Sequence, residues 1–244
     1  MTQPAPWTSA VLAQAVVEAR LTARRGENLL AMVGVPVAVL LYVWLLVPGS
    51  SRMSALLPGT LAIALVASGL VNLGITTAYE RGYGVLKRLG GSPLGPSGLV
   101  AAKLAVVIGI GLAQVVAIAV LAAVLGWRPG STVSLPAVVL TTMLGSVAFA
   151  GIGLAIAGRL RPESSLVVAN VLFLAAMGLG GAILPIGDLP AALAGVIRLL
   201  PIGALNDAFA AALGSGTSLT VPLAILGAWA VASFALAVRT FRWD

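Results

Sequence analysis

The charged residues of this chain are spaced so that six long stretches contain none. The stretches are Asn28–Ser51, Met53–Tyr79, Leu104–Trp127, Pro129–Gly158, Ser164–Gly187 and Ala208–Val238, and none is shorter than 24 residues. A helix needs about 20 apolar residues to cross a hydrocarbon layer about 30 Å thick. A charge at the centre of that layer costs about 2.5–3.5 kcal/mol on insertion scales. Neutral stretches of this length therefore predict six membrane-spanning helices. Trimmed at Gly, Pro and polar flanks, the expected spans are residues 29–47, 55–76, 99–125, 134–157, 165–185 and 219–238. The predicted fold is all-α, with residues 1–244 forming a single polytopic transmembrane domain.

Composition agrees with this reading. Apolar residues make up 60% of the chain and charged residues 9%, whereas soluble domains carry about 25% charged residues. A lipid bilayer is the surrounding that such a surface requires. The net charge of +7 does not predict a nucleic-acid partner, because the basic residues lie between apolar runs and line no continuous groove. They read instead as topology signals. With the N-terminus inside, eleven of the 14 Lys and Arg fall on cytoplasmic segments, leaving Arg52, Arg128 and Arg198 outside. Both termini are expected in the cytoplasm. Residues 1–27 carry Glu18, Arg20, Arg24, Arg25 and Glu27 and show no cleavable signal peptide.

Three stretches outside the spans carry information. Residues 8–27 fit a helix lying along the membrane surface. Val11, Leu12, Ala15, Val16, Ala19 and Ala23 share one arc, and Ser9, Gln14, Glu18, Arg20, Arg24 and Arg25 the other. The stretch Thr77–Gly98 is the longest cytoplasmic loop; Leu86 and Leu89 among its basic residues fit a short amphipathic helix, and a plain topogenic loop equally well. On the outside, Ile186–Ser218 is long and apolar for a loop. Pro185, Pro190 and Pro201 punctuate it, a pattern that fits a short helix pair dipping back into the outer leaflet.

No enzyme chemistry is visible. The chain has no Cys and no His, which removes thiolate ligands, disulfides and the commonest general base. It has no G-x-x-x-x-G-K-[ST] phosphate loop and no G-x-S-x-G elbow. Its seven acids form no cluster suited to a metal, and none falls in the middle of an expected span, as a proton- or sodium-coupled carrier would want. The notable polar residues within spans are Asn72, Gln114 and Asn170. They either line a substrate path or bond to neighbouring helices.

The segment Y-E-R-G-Y-G-V-L-K-R-L-G-G-S-P-L, Tyr79 to Leu94, followed by Lys103, resembles the cytoplasmic loop of bacterial ABC type-2 export permeases. The matching positions are Glu80, Arg81, Gly84, Leu86, Lys87, Arg88, Leu89, Pro93 and Lys103. The run from Leu184 to Pro201 resembles the family's outer loop. Within the cytoplasmic loop, Gly82 and Val85 depart from the family pattern, where a second acid and a Thr are common. The resemblance implies a half-transporter in the bacterial plasma membrane that works as an exporter. Similar proteins carry drugs, lipids, peptides or polysaccharides, and the neutral spans here favour an apolar or amphipathic substrate such as a drug or lipid. It implies pairing with a second copy or a related permease, and binding of separate ATP-binding subunits that hold ATP and Mg. The loop from Glu80 to Pro93 would carry a short coupling helix. A non-transporting membrane scaffold or immunity protein, and a membrane-embedded lipid enzyme, stand as alternatives.

Overall fold

The computed structural model describes residues 6–24, 26–46, 50–90, 94–129, 132–215 and 217–240. Every regular element among them is helical. In chain order these are α1 (Trp7–Arg24), α2 (Gly26–Leu46), α3 (Ser50–Val66), a wide π-helical segment (Ala67–Leu73), α4 (Gly74–Gly82), α5 (Val85–Gly90), α6 (Gly95–Val124), α7 (Leu135–Ala157), α8 (Pro162–Leu179), α9 (Ala191–Leu199), α10 (Pro201–Ala212) and α11 (Thr220–Thr240). Five helices among the described residues are long and apolar enough to cross a membrane. The count reaches six if α9 and α10, bent by 93° at their junction, are taken as one broken span. The first expected span, residues 29–47, coincides with the 21-residue α2, whose described apolar part is Met32–Tyr42.

The second span is the central post. α3, the π segment and α4 run as one rod over Met53–Gly82, and 83% of its most apolar stretch is buried inside the protein, against 17% for α8. In a membrane, apolar side chains gain little by leaving lipid for protein, so close packing of small residues decides which helices sit inside. This rod is rich in them. A Cβ on Gly153 of α7 would lie 2.7 Å from the Gly69 carbonyl oxygen, and one on Gly59 would lie 2.3 Å from the Gly181 carbonyl carbon. Both contacts are backbone against backbone. α7 then packs its other face on α11, where Gly151 meets Ser233.

Three boundaries differ from expectation. The second span does not end near residue 76 but continues as helix to Gly82, so Glu80 and Arg81 stand on α4 rather than in a loop. The fifth expected span, 165–185, stops at Leu179 because the chain turns at Gly180 and Gly181, the latter at φ +81°. That turn lodges against Gly59 and Asn206. Within Thr77–Gly98, α5 is a separate helix of six residues.

Candidate functional site

Three charged side chains from distant parts of the chain meet at one end of the bundle. Lys103, on the third turn of α6, is only 3% exposed. Its Nζ lies 2.7 Å from Glu80 Oε2 on α4 and 3.1 Å from Glu18 Oε1 on α1. A buried ammonium is costly unless paired and hydrogen-bonded, and here two carboxylates share it. Gln14 Nε2 donates to Glu18 Oε1 at 3.1 Å, and the Thr22 hydroxyl donates to the Glu18 carbonyl at 2.9 Å. The cluster thus ties the N-terminal helix to the second and third spans. Glu18 does not face headgroups with the polar arc that sequence periodicity assigns it; it turns inward to Lys103. The available signal was Lys103 itself, a cation near the head of an apolar helix that requires a partner.

The loop residues divide by orientation. Arg81 donates from Nη2 to the carbonyl of Leu160, which fixes the foot of α4 against the α7–α8 connection. Gly84 then adopts φ +70°, a left-handed conformation that costs most other residues energy, and the chain reverses into α5. Leu86 is fully buried with Leu94 and Leu99, against Ala10 and Val11 of α1. It is an internal anchor of α5, not part of its outer face. Among the described residues here, Gly82, Tyr83, Val85 and Lys87 are exposed, and Tyr83 lies near Tyr79 with ring centres 6.1 Å apart. Arg88 and Leu89 belong to α5 by backbone; their side chains, and Pro93 as a whole, lie outside the described residues.

Further along the same rod, the π segment re-aims its side chains. Ser68 Oγ is placed 3.2 Å from the carbonyls of both Ala64 and Leu65, where the wide turn begins. Such turns inside helices recur at functional sites. Here the segment presents Val71 and Asn72 to a cavity of about 200 Å³, lined also by Met32, Thr76, Asn170 and Phe173. Asn72 and Thr76 line a second, smaller cavity as well, one whose other walls include Glu18 and Lys103. They therefore stand between the larger cavity and the ionic cluster. Asn170 faces the same cavity as Asn72 while its Nδ2 donates to the Leu166 carbonyl at 2.8 Å. Gln114 does not line this cavity. It is buried, and its Nε2 donates to the Met32 carbonyl at 2.9 Å, bonding α6 to α2. Thr76 and Phe173 are cavity residues that sequence reasoning missed, because nothing in an apolar run marks which side faces a void.

A model of the ABC-2 type transporter family matches residues 10–213. The chain belongs to the ABC-2 type transporter family. The match takes in Glu18, Glu80 and Lys103 together with the cavity residues Asn72 and Asn170. No curated protein sequence matches the chain. Family membership makes it a multi-pass membrane permease, the transport component of an ABC transporter rather than the ATPase, and implies association with an ABC ATP-binding subunit.

Proposed function

We propose that this permease exports an apolar or amphipathic cargo, such as a drug or a lipid, driven by ATP hydrolysis in the partner subunit, which holds ATP and Mg. In this reading both termini lie in the cytoplasm of a bacterial cell, with α1 along the inner face of the plasma membrane. Two copies, or this chain and a related permease, pair and bind two ATP-binding subunits. The exposed residues Tyr83, Val85 and Lys87 rest against the ATPase. Asn72 and Asn170 line the substrate path.

The observation that supports this reading is that one rigid rod carries both ends of the device. Glu80, eight residues after Asn72 on the same rod, is held to Lys103, and Asn72 and Thr76 form the wall shared with the cavity. A push on α5 reaches Leu86 and α1 through their packing and reaches α4 through the short turn at Gly84. Movement of α4 shifts the π segment, whose wide turn is the least regular part of the rod, and the cavity changes shape. Packed elements with two discrete arrangements amplify small displacements in this way.

The test is co-purification of the intact permease with its ATP-binding subunit, and measurement of cargo-stimulated ATP hydrolysis. Lys87→Glu is expected to weaken assembly and lower coupled hydrolysis while the permease itself folds normally. Unchanged coupling in Lys87→Glu and in Tyr83→Ala together would refute the assignment of this face.

A further inference from the structure

A second void lies on the opposite side of α8 from the Asn72 cavity. It is a groove of about 570 Å³ between α7, α8, the start of α10 and α11. Asn170 and Phe173 point to one side of α8, and Leu172, Ala175, Ala176 and Leu179 to the other, so the helix separates the two voids. Phe149, Ile152, Ile202, Trp229 and Leu236 complete the apolar walls. Leu172 and Leu236 are exposed, which opens the groove sideways to whatever surrounds the spans.

One end of this groove is unlike the rest. Arg159 lines it, beside Leu160, at the end where Arg81 is bonded and the coupling loop lies. Arg159 is exposed and makes no ion pair among the described residues. Arg161 follows two residues later, and Arg239 lies one turn beyond Leu236 on α11. Among the described residues, the acid nearest Arg159 and Arg161 in sequence is Glu163, in the first turn of α8, so basic residues outnumber acids there. An apolar trough that is open to lipid and ends at the Arg159 guanidinium matches a molecule with a long hydrocarbon tail and an anionic phosphate head. Arg suits phosphate oxygens through paired hydrogen bonds, and basic pockets between spanning helices on the cytoplasmic side hold anionic headgroups.

We infer that this groove is a binding site for an anionic phospholipid of the surrounding leaflet, with an acyl chain between α8 and α11 and its phosphate on Arg159. The site is distinct from the proposed substrate path; it rests on the proposed reading that the Arg159 end faces the cytoplasm and does not depend on which cargo the permease moves.

The intact permease is extracted, reconstituted in phosphatidylglycerol–phosphatidylcholine vesicles, re-extracted, and examined by native mass spectrometry for retained lipid. Retained phosphatidylglycerol in preference to phosphatidylcholine is expected. Arg159→Gln removes charge-assisted bonds and is expected to lower retention about tenfold, with Arg159→Lys between the two. Ala175→Trp, which fills the groove and leaves the cation, is expected to lower it as well. Equal retention in wild type, Arg159→Gln and Ala175→Trp would mean non-specific surrounding lipid and overturn the proposal. So would efficient disulfide cross-linking of Leu172→Cys in this cysteine-free chain, because a second copy would then cover the groove.

Discussion

Replacing Lys103 with methionine removes the ammonium held between Glu18 and Glu80 and keeps a side chain of similar length. The two carboxylates then face each other without a cation, in a place where Glu18 is 13% and Glu80 16% exposed at the side chain. Removing one partner of a buried ionic group costs about 3–5 kcal/mol, mostly because the remaining charge is left uncompensated. Some water reaches both carboxylates, so the low end applies, about 3 kcal/mol. A chain of this length loses about 2–4 °C per kcal/mol, which predicts a fall of about 6–12 °C in apparent melting temperature. The five Trp residues report unfolding by intrinsic fluorescence in detergent, with wild type and variant heated at one rate because such unfolding is commonly irreversible. The triple variant Glu18→Gln, Glu80→Gln, Lys103→Met replaces the whole cluster by neutral groups and is expected to recover stability to within about 1 kcal/mol of wild type. Its coupled ATP hydrolysis should stay low, because the tie among α1, α4 and α6 is gone. A Lys103→Met variant melting within about 2 °C of wild type would refute the reasoning.

Gly59→Val forces a side chain into the Gly181 backbone and should destabilise by about 3 kcal/mol, whereas Gly34→Ala enters open space and should be neutral or gain about 0.5–1 kcal/mol; paired thermal melts check the contrast. Leu86→Ala empties the small core under α5 at a local cost of about 2–5 kcal/mol, and limited proteolysis should cut the segment between Gly84 and Leu94 faster without a matching fall in the global melt. Trp229→Phe removes the bond from its Nε1 to the Leu199 carbonyl, 2.9 Å long, and should cost about 1 kcal/mol, read as faster hydrogen exchange across α9. Asn72→Leu should leave melting within about 0.5 kcal/mol of wild type and alter cargo export, measured as efflux from loaded vesicles carrying the full complex.

Much of this architecture was legible because hydrocarbon screens residues one at a time. Five of the six charge gaps fall on the helices long and apolar enough to cross a membrane, and Pro185, Pro190 and Pro201 mark the stretch that holds α9 and α10. The extension of helix to Gly82 was not legible. Glu80 and Arg81 look like loop residues until Lys103 and the Leu160 carbonyl supply partners 23 and 79 residues away. The π segment was hidden for a different reason: in a stretch with no polar face, a change of helical period leaves no mark on the pattern. Leu86 illustrates a third case. Its place in a basic loop suggests an outward contact, and only the packing of Leu94, Leu99 and α1 around it turns it inward.

The sequence by itself determined that the chain crosses a membrane several times, roughly where it does so, and which family pattern its first loop follows. Those properties follow from transfer free energies that sum along the chain and from a short run of neighbouring residues. Tertiary structure decided which helix is central, that Glu18 meets Lys103, that Asn72 and Asn170 share one cavity while Gln114 does not, and that α8 divides two voids. Those are relations between residues far apart in the chain, set by where small side chains let backbones touch, and no local pattern encodes them.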